Sequence, residues 1–273
     1  MSERERPAGL VLGNPWDELR AHTSARIALG RVGASLPTAE VLRFGLAHAQ
    51  ARDAVHHPLD FETLEAQLRE AGFQTRRVKS DATDRHAYLL RPDQGRRLDA
   101  QCRQRLEREP AAPELAVVVA DGLSSSAVQR HALPLLEAFR AAFAADWARV
   151  PVVLAEQARV ALGDGIGEAL RARLVVLLIG ERPGLSSPDS LGLYLTYQPR
   201  VGRMDSERNC ISNVRPEGLP YEPAAARLAY LAREALRLNL SGVALKDDSP
   251  LRTVDGPSRG DRGTEEKPER SNP

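Results

Sequence analysis

The stretch Leu115-Ala-Val-Val-Val-Ala120 decides the fold class, because this short apolar run ends in Asp-Gly and leads into a helical pattern. Two comparable runs follow at residues 150–154 and 174–179. Continuous apolar runs that alternate with helices are typical of parallel strands buried on both faces of a sheet. The sequence therefore predicts an α/β fold over residues 113–246, with a Rossmann-like, doubly wound and mostly parallel sheet.

The flanking segments have a different character. Residues 191–197 alternate apolar and polar side chains more strongly, which predicts an edge strand, and residues 221–240 predict a long amphipathic helix. Residues 1–112 are rich in Ala, Leu, Arg and Glu, which predicts a helical N-terminal region with a short flexible start. Residues 247–273 are dominated by Ser, Pro, Gly, Arg and Glu, which predicts a disordered tail.

The composition excludes several classes of protein. Charged residues make up 27% of the 273 residues and the formal net charge is +1, so no basic face for nucleic acid is expected. The two cysteines, Cys102 and Cys210, form no C-x-x-C pair, so neither a structural zinc site nor a disulfide framework is expected. No apolar run approaches the roughly 18 residues of a membrane span. We therefore expect a cytoplasmic protein without a membrane segment.

Three loops occupy the place where ligands bind in doubly wound sheets, beyond the carboxyl ends of the strands. They are residues 121–124, 160–167 and 180–184. Ser124 is most simply interpreted as a helix cap, since the chain lacks the G-x-S-x-G pattern of a nucleophile elbow. The loops therefore give no indication of a serine hydrolase.

Two polar residues in or near these loops are candidate ligand contacts. Glu181 directly follows the third apolar run, where a carboxylate can accept hydrogen bonds from ligand hydroxyls or amides. A salt bridge to a nearby arginine, or plain solvation, is the alternative role. Cys210 lies in the polar segment 208–215, where a buried and inert cysteine is the default interpretation. The residues alone leave both alternatives open.

A glycine-rich segment at residues 163–167 raises a dinucleotide-binding alternative. Its pattern is G-x-G-x-G with Glu168 where the third glycine of the fingerprint should stand. The glycines also do not follow the run at 150–154 directly. A dinucleotide-binding α/β module therefore stays an alternative function.

Several ordered motifs resemble one known family, the small (light) subunit of ethanolamine ammonia-lyase. The similarity extends over about residues 14–246. The tail beyond is not part of it. The motifs that carry it are Asn14-Pro-Trp, Thr23-Ser-Ala-Arg26, Leu36-Pro-Thr38, Asp84-Arg-His86, Arg91-Pro-Asp93, Asp121-Gly-Leu-Ser124, Arg159-Val-Ala-Leu-Gly-Asp164, Gly180-Glu-Arg-Pro-Gly184 and Arg208-Asn-Cys-Ile-Ser-Asn-Val-Arg215.

The resemblance implies a function and a cofactor site. Such enzymes use adenosylcobalamin to convert ethanolamine to acetaldehyde and ammonia by a radical mechanism. They assemble six large and six small subunits, and the large subunit carries the substrate and the radical chemistry. The small subunit, active only with the large one, holds the corrin from the other side. By their place in the matching motifs, Val160, Glu181 and Cys210 are the cofactor-binding residues, and no catalytic residue is assigned to this chain.

The pattern at residues 84–89 bears on whether a histidine of this chain would bind the cobalt of the cofactor. Many corrin-binding α/β domains use D-x-H-x-x-G, whose histidine replaces the cofactor's own lower base. Here Asp84-Arg-His86 begins that pattern, but Leu89 stands at the glycine position. We therefore expect no metal ligand from this chain. Two further alternatives stay open: a regulatory subunit without lyase activity, and a location in a bacterial microcompartment.

Overall fold

The computed structural model describes residues 11, 14, 16–110 and 112–249. Its strands are β1 Gln74–Lys79, β2 Leu115–Ala120, β3 Pro151–Glu156, β4 Leu174–Gly180, β5 Leu191–Tyr197 and β6 Asn209–Val214. Its α-helices are α1 Thr38–His56, α2 Phe61–Glu70, α3 Arg85–Leu90, α4 Ala100–Glu107, α5 Ser125–Ala142, α6 Leu162–Leu170 and α7 Tyr221–Leu238. All six strands form one sheet in the order β1-β3-β2-β4-β5-β6.

The sheet has a parallel part and an antiparallel part. The pairs β1–β3, β2–β3 and β2–β4 are parallel, whereas β4–β5 and β5–β6 are antiparallel. The α/β class is therefore confirmed, but the expected mostly parallel, Rossmann-like sheet is not. The physical reason is the length of the connections. Residues 181–190 and 198–208 form connections that are too short for a parallel crossover, which needs roughly a dozen or more residues and usually a helix, so the strands that they join are antiparallel.

Both edge strands were missed by the sequence analysis. β1 lies inside the region expected to be helical and contains Arg76 and Arg77, and β6 reads Asn-Cys-Ile-Ser-Asn-Val. Neither strand is buried on both faces, so neither has the apolar run that marks a central strand. The prediction that residues 191–197 form an edge strand is wrong, because β6 pairs outside β5.

Two helical layers cover the sheet. On one side, α2, α5 and α7 pack their apolar side chains against Val117 and Val119 of β2 and their neighbours. On the other side, α4 and α6 pack against Ala116 and Val118 of the same strand. Successive residues of a strand point to opposite faces, so a run that is apolar at every position supplies both cores. Each fully buried Leu or Val contributes roughly 1.5–3 kcal/mol to this packing.

The predicted helices are confirmed with shifted ends. The pattern from residue 124 is α5, and the pattern from residue 221 is α7. In the N-terminal region, a 3-10 helix over Asp17–His22 precedes α1. The predicted disordered tail falls, from residue 250 onward, outside the described residues. Within the described part of the chain, no helix is long and apolar enough to cross a membrane.

Candidate functional site

Among the described residues, no helix packs on the α6 side of the two strands β5 and β6. The helices that contact β5 and β6, namely α5 and α7, lie on the opposite side of the sheet, whereas α6 contacts β2 and β4. As a result, Cys210 and Ser212 of β6 are exposed and Tyr194 of β5 is only half-buried. We call the surface formed by Gly192, Tyr194, Cys210 and Ser212 the open sheet face.

Glu181 lies at the end of this face. It directly follows β4, and its carboxylate accepts hydrogen bonds from Ser190 Oγ at 2.5 Å and from the Asn213 amide at 3.2 Å. The side chain lies against Gly192, since a Cβ at that glycine would be 3.1 Å from Glu181 Oε1. Glu181 is half-exposed. A carboxylate accepts about four hydrogen bonds, so it keeps acceptor capacity for a ligand.

The loop that carries Ser190 is fixed from the opposite side. Asp189 accepts a hydrogen bond from Arg130 at 2.7 Å and lies 3.7 Å from His131 Nε2. His131 in turn is 2.7 Å from the Tyr221 hydroxyl. Burial lowers the pKa of His131, so the imidazole is neutral at neutral pH. The cluster therefore anchors the loop before β5 and is not a proton-transfer group facing the open sheet face.

Cys210 differs from its default interpretation. It is exposed and lies in a strand, so the expectation of a buried cysteine is wrong. It pairs in register with Tyr194 of β5, and its Sγ is 3.5 Å from Ser212 Oγ. Burial first, and then the neighbouring Cys210, raise the pKa of Tyr194, so the phenol keeps its proton and stays a hydrogen-bond donor.

Val160 lies two residues before α6, on the same side of the sheet. It is half-buried and packs, like Tyr194, against the core between α6 and the sheet. The loop before it is held by Asp121, whose carboxylate accepts hydrogen bonds from the amides of Gln157 at 3.0 Å and Ala158 at 2.9 Å. Burial raises the pKa of Asp121 to about 6, although these amides and Arg85 lower it. Asp121 therefore positions the loop that carries Val160.

The crevice between β2 and β4 is filled by the protein backbone. Gly122 has a φ of +59°, and a Cβ there would be 2.2 Å from the Gly180 carbonyl oxygen. A Cβ at Gly180 would in turn be 2.1 Å from the Ser124 carbonyl oxygen. The Leu123 amide donates to the Gly180 oxygen at 2.9 Å. Nucleotides bind in this crevice in doubly wound sheets. In this protein the crevice between β2 and β4 is closed. Ser124 caps α5, as expected.

The glycine-rich segment also has a packing role. Gly163, Gly165 and Gly167 are buried within α6 and do not form a phosphate loop. A Cβ at Gly167 would be 2.4 Å from Pro199 Cγ. The first amides of the helix are already bonded to the carbonyls of residues 159–161. A helix start needs free amides to bind phosphate, so this geometry disfavours the dinucleotide alternative.

A buried ion pair that the sequence analysis missed joins the two halves of the site. Arg208, directly before β6, donates to Asp164 of α6 at 2.5 Å and to the Arg203 carbonyl at 2.7 Å. Both charged side chains of the pair are almost fully buried. Burial raises the pKa of Asp164 to about 6 against the opposing effect of Arg208. The pair ties the start of the Cys210 strand to the helix that follows Val160.

The Asp84-Arg-His86 pattern has a local structural explanation. The Asp84 carboxylate accepts from the Ala87 amide at 2.8 Å and caps α3. His86 is exposed on that helix. Among the described residues, no group of three or more His, Cys, Asp or Glu side chains is placed to hold a metal ion.

The fold and the site together define a mixed α/β protein whose sheet has a partly exposed carboxylate and an exposed thiol beyond the cover of its helices. Comparisons with known proteins name the family. The sequence model of the ethanolamine ammonia-lyase light chain (EutC) matches residues 13–246. The chain therefore belongs to the ethanolamine ammonia-lyase light-chain family.

Individual relatives agree over nearly the whole chain. The ethanolamine ammonia-lyase small subunit of Azotobacter vinelandii is 57% identical, over 90% of this chain and 93% of the relative. The small subunit of Pseudomonas fluorescens is 58% identical, over 91% and 92%. That of Pseudomonas aeruginosa is 60% identical, over 89% and 91%.

Proposed function

We propose that this chain binds adenosylcobalamin at the interface with a large subunit, and that the two together convert ethanolamine to acetaldehyde and ammonia. The observation that carries the proposal is the placement of Val160, Glu181 and Cys210. They are far apart in sequence, yet all three lie on the α6 side of the sheet: Glu181 and Cys210 lie at the open sheet face, and Val160 packs against the core beneath α6. The proposal treats residues 113–246 as the cofactor-binding part, with β1 from the preceding region completing its sheet.

The side chains present fit this cofactor. A corrin is a broad ring with amide groups at its rim, and it needs an extended surface with a few polar contacts more than a narrow pocket. The open sheet face offers such a surface. Glu181 can accept from a rim amide, and the Cys210 thiol and Ser212 hydroxyl can each donate or accept. Val160 adds an apolar contact. Adenosylcobalamin, when bound, supplies the radical chemistry.

The residues of this chain then bind, orient and exclude water. Glu181 is held by Ser190 and Asn213 before any ligand binds, so its acceptor oxygens are already positioned. Such preorganisation lowers the entropy cost of binding. The described loops around the open sheet face bring together no acid, base and nucleophile within mutual hydrogen-bonding distance. We therefore assign the substrate chemistry to the large subunit.

Helix α1 provides the surface that we propose for the large subunit. Its apolar side chains Val41, Leu42, Phe44 and Leu46 are 51%, 68%, 44% and 59% exposed. Only Ala47 and Ala54 of this helix are buried. These large apolar side chains lie around a helix that is little covered by its own chain, which favours contact with a partner. The assembly of six large and six small subunits, and a cytoplasmic or microcompartment location, stay predictions.

The test is reconstitution. The full chain, the large subunit and the mixture are each assayed for acetaldehyde from ethanolamine with adenosylcobalamin. We expect turnover only in the mixture. Turnover by this chain alone would contradict the division of labour, and equal turnover by the large subunit alone would favour the regulatory-subunit alternative.

A binding titration separates the remaining alternative. The assembled complex is titrated with cyanocobalamin and separately with NAD and FAD. We expect binding of the cobalamin only. Binding of a dinucleotide without binding of cobalamin would favour the dinucleotide-binding module.

A further inference from the structure

We propose that Tyr194 is a further cofactor-contacting residue, whose ring forms the central apolar contact of the open sheet face between Glu181 and Cys210. The inference rests on the proposed function and deepens it. Tyr194 belongs to none of the sequence motifs that carried the family resemblance. Its role follows from its place in the sheet.

The position of Tyr194 is set by strand pairing. It is in register with Cys210 on β6 and with Leu177 on β4. Leu177 is covered by α6, because a Cβ at Gly163 of that helix would be 3.7 Å from it. Cys210 is exposed. Tyr194 therefore lies at the boundary where the helical cover ends and the open sheet face begins.

The ring leans along β5 toward Glu181. Its Cε2 atom would be 3.3 Å from a Cβ at Gly192, the glycine against which the Glu181 carboxylate also lies. Gly192 thus leaves room for both side chains. The ring consequently occupies the middle of the surface, with the carboxylate at one end and the thiol beside it.

The chemistry of Tyr194 suits a contact with a large flat ligand. It is the one aromatic side chain among the four residues of the open sheet face, and it is half-buried, with part of its surface facing outward. The neighbouring Leu193 and Leu195 point to the opposite core, which therefore does not depend on Tyr194. An aromatic ring gives a large apolar contact at a low cost in conformational entropy. Its protonated hydroxyl can still donate to a ligand acceptor.

The test compares Tyr194→Leu and Tyr194→Phe in the complex with the large subunit. Cyanocobalamin binding is measured by ultrafiltration and absorbance, and KM for adenosylcobalamin and kcat are measured separately. We expect Tyr194→Leu to weaken cobalamin binding about tenfold to a hundredfold, as loss of a central aromatic contact does. Tyr194→Phe keeps the ring and should stay within about threefold. The kcat at saturating cofactor should change little, because a contact that is made equally in the ground state and in the transition state affects binding alone.

The matched control is Tyr230→Leu, which removes a half-buried tyrosine on α7, on the opposite side of the sheet. It should leave cobalamin binding unchanged. The inference is overturned if Tyr194→Leu binds cobalamin normally, if the control weakens binding equally, or if Tyr194→Leu loses its cooperative thermal transition.

A parallel Glu181→Gln variant distinguishes failure of this inference from failure of the proposed function. If Glu181→Gln weakens binding and Tyr194→Leu does not, the cofactor site stands and only the role of Tyr194 is wrong. If wild-type complex binds no cobalamin, the proposed function fails and the inference with it.

Discussion

At the scale of single residues, carboxylates in similar positions have different roles. Asp121 and Glu181 each follow a strand of the sheet. Asp121 is buried, and its carboxylate oxygens accept hydrogen bonds from backbone amides of the protein. Glu181 is half-exposed, and its carboxylate can accept further hydrogen bonds from a ligand. Burial and hydrogen-bond partners, rather than residue type, decide which carboxylate is structural and which can bind a ligand. These environments give two predictions.

Glu181→Gln should weaken cofactor binding by roughly tenfold to a hundredfold, since a hydrogen bond to a charged group contributes about 1.5–3 kcal/mol. Turnover at saturating cofactor should fall much less, because the contact contributes to cofactor affinity and leaves the activation barrier unchanged. Cofactor affinity and saturated turnover are measured separately in the assembled enzyme. Glu217→Gln, which removes a charge from an exposed glutamate, is the control and should change neither. A collapse of turnover with intact affinity would place Glu181 in the chemistry.

Asp121→Asn should destabilise the fold by about 1–3 kcal/mol, because the amide cannot accept from all the backbone donors. The destabilisation should also depend on pH. Burial raises the pKa of Asp121 from 3.8 to about 6, so the stability it contributes is complete below pH 3.8 and is lost as the pH rises through 6. The difference in unfolding free energy between wild type and variant should therefore shrink from pH 4.5 to pH 7.5. Urea titrations at several pH values measure it, and a constant or growing difference would contradict the assigned cause.

At the scale of elements, α6 shows how a sequence pattern can suggest the wrong chemistry. Its three glycines imitate part of a nucleotide fingerprint, but they let the short helix approach the sheet and the segment around Pro199. The close approach matters for the site, because Val160 precedes this helix and the Asp164–Arg208 pair ties it to β6. No local sequence signal distinguishes a glycine that binds phosphate from one that permits close packing.

The glycines of α6 offer a matched pair of substitutions. Gly167→Ala should cost about 1–3 kcal/mol, because its Cβ would overlap with Pro199 and Val175. Gly163→Ala should be neutral or stabilising by up to about 1 kcal/mol, since its nearest neighbours are 3.7 Å away and alanine favours helix more than glycine does. Chemical denaturation of both variants measures the difference. Equal destabilisation by the two substitutions would show that close packing is not the reason for Gly167.

At the scale of the whole molecule, two surfaces face outward without protein cover in the described residues: the open sheet face and the apolar surface of α1. Both are consistent with a subunit that is completed by a partner. A helix that buries only two alanines gains little from its own domain and depends on other contacts. The relatives of this chain are small subunits, which agrees with such a partner.

Leu42→Arg should weaken association with the large subunit by at least tenfold while leaving the fold intact, because an exposed apolar contact is replaced by a charge. Sedimentation or size-exclusion analysis of mixed subunits measures the association, and the thermal midpoint of the isolated chain monitors its fold. Leu238→Arg, at an exposed leucine near the end of α7, is the control. Normal association of Leu42→Arg would exclude this surface of α1 from the interface.

The sequence by itself determined the three central strands and the helices between and after them, and its resemblance to a known family supplied the candidate residues Val160, Glu181 and Cys210. Buried apolar runs and ordered motifs are local signals, so one chain suffices to identify them. The tertiary structure alone decided the polar edges β1 and β6, the antiparallel direction of β5 and β6, and the exposed face that contains Tyr194 and Cys210. Edge strands are held by pairing with a neighbour more than by their own hydrophobicity, and a face is open only because no helix packs there. Both facts depend on contacts between distant residues, which no local pattern specifies.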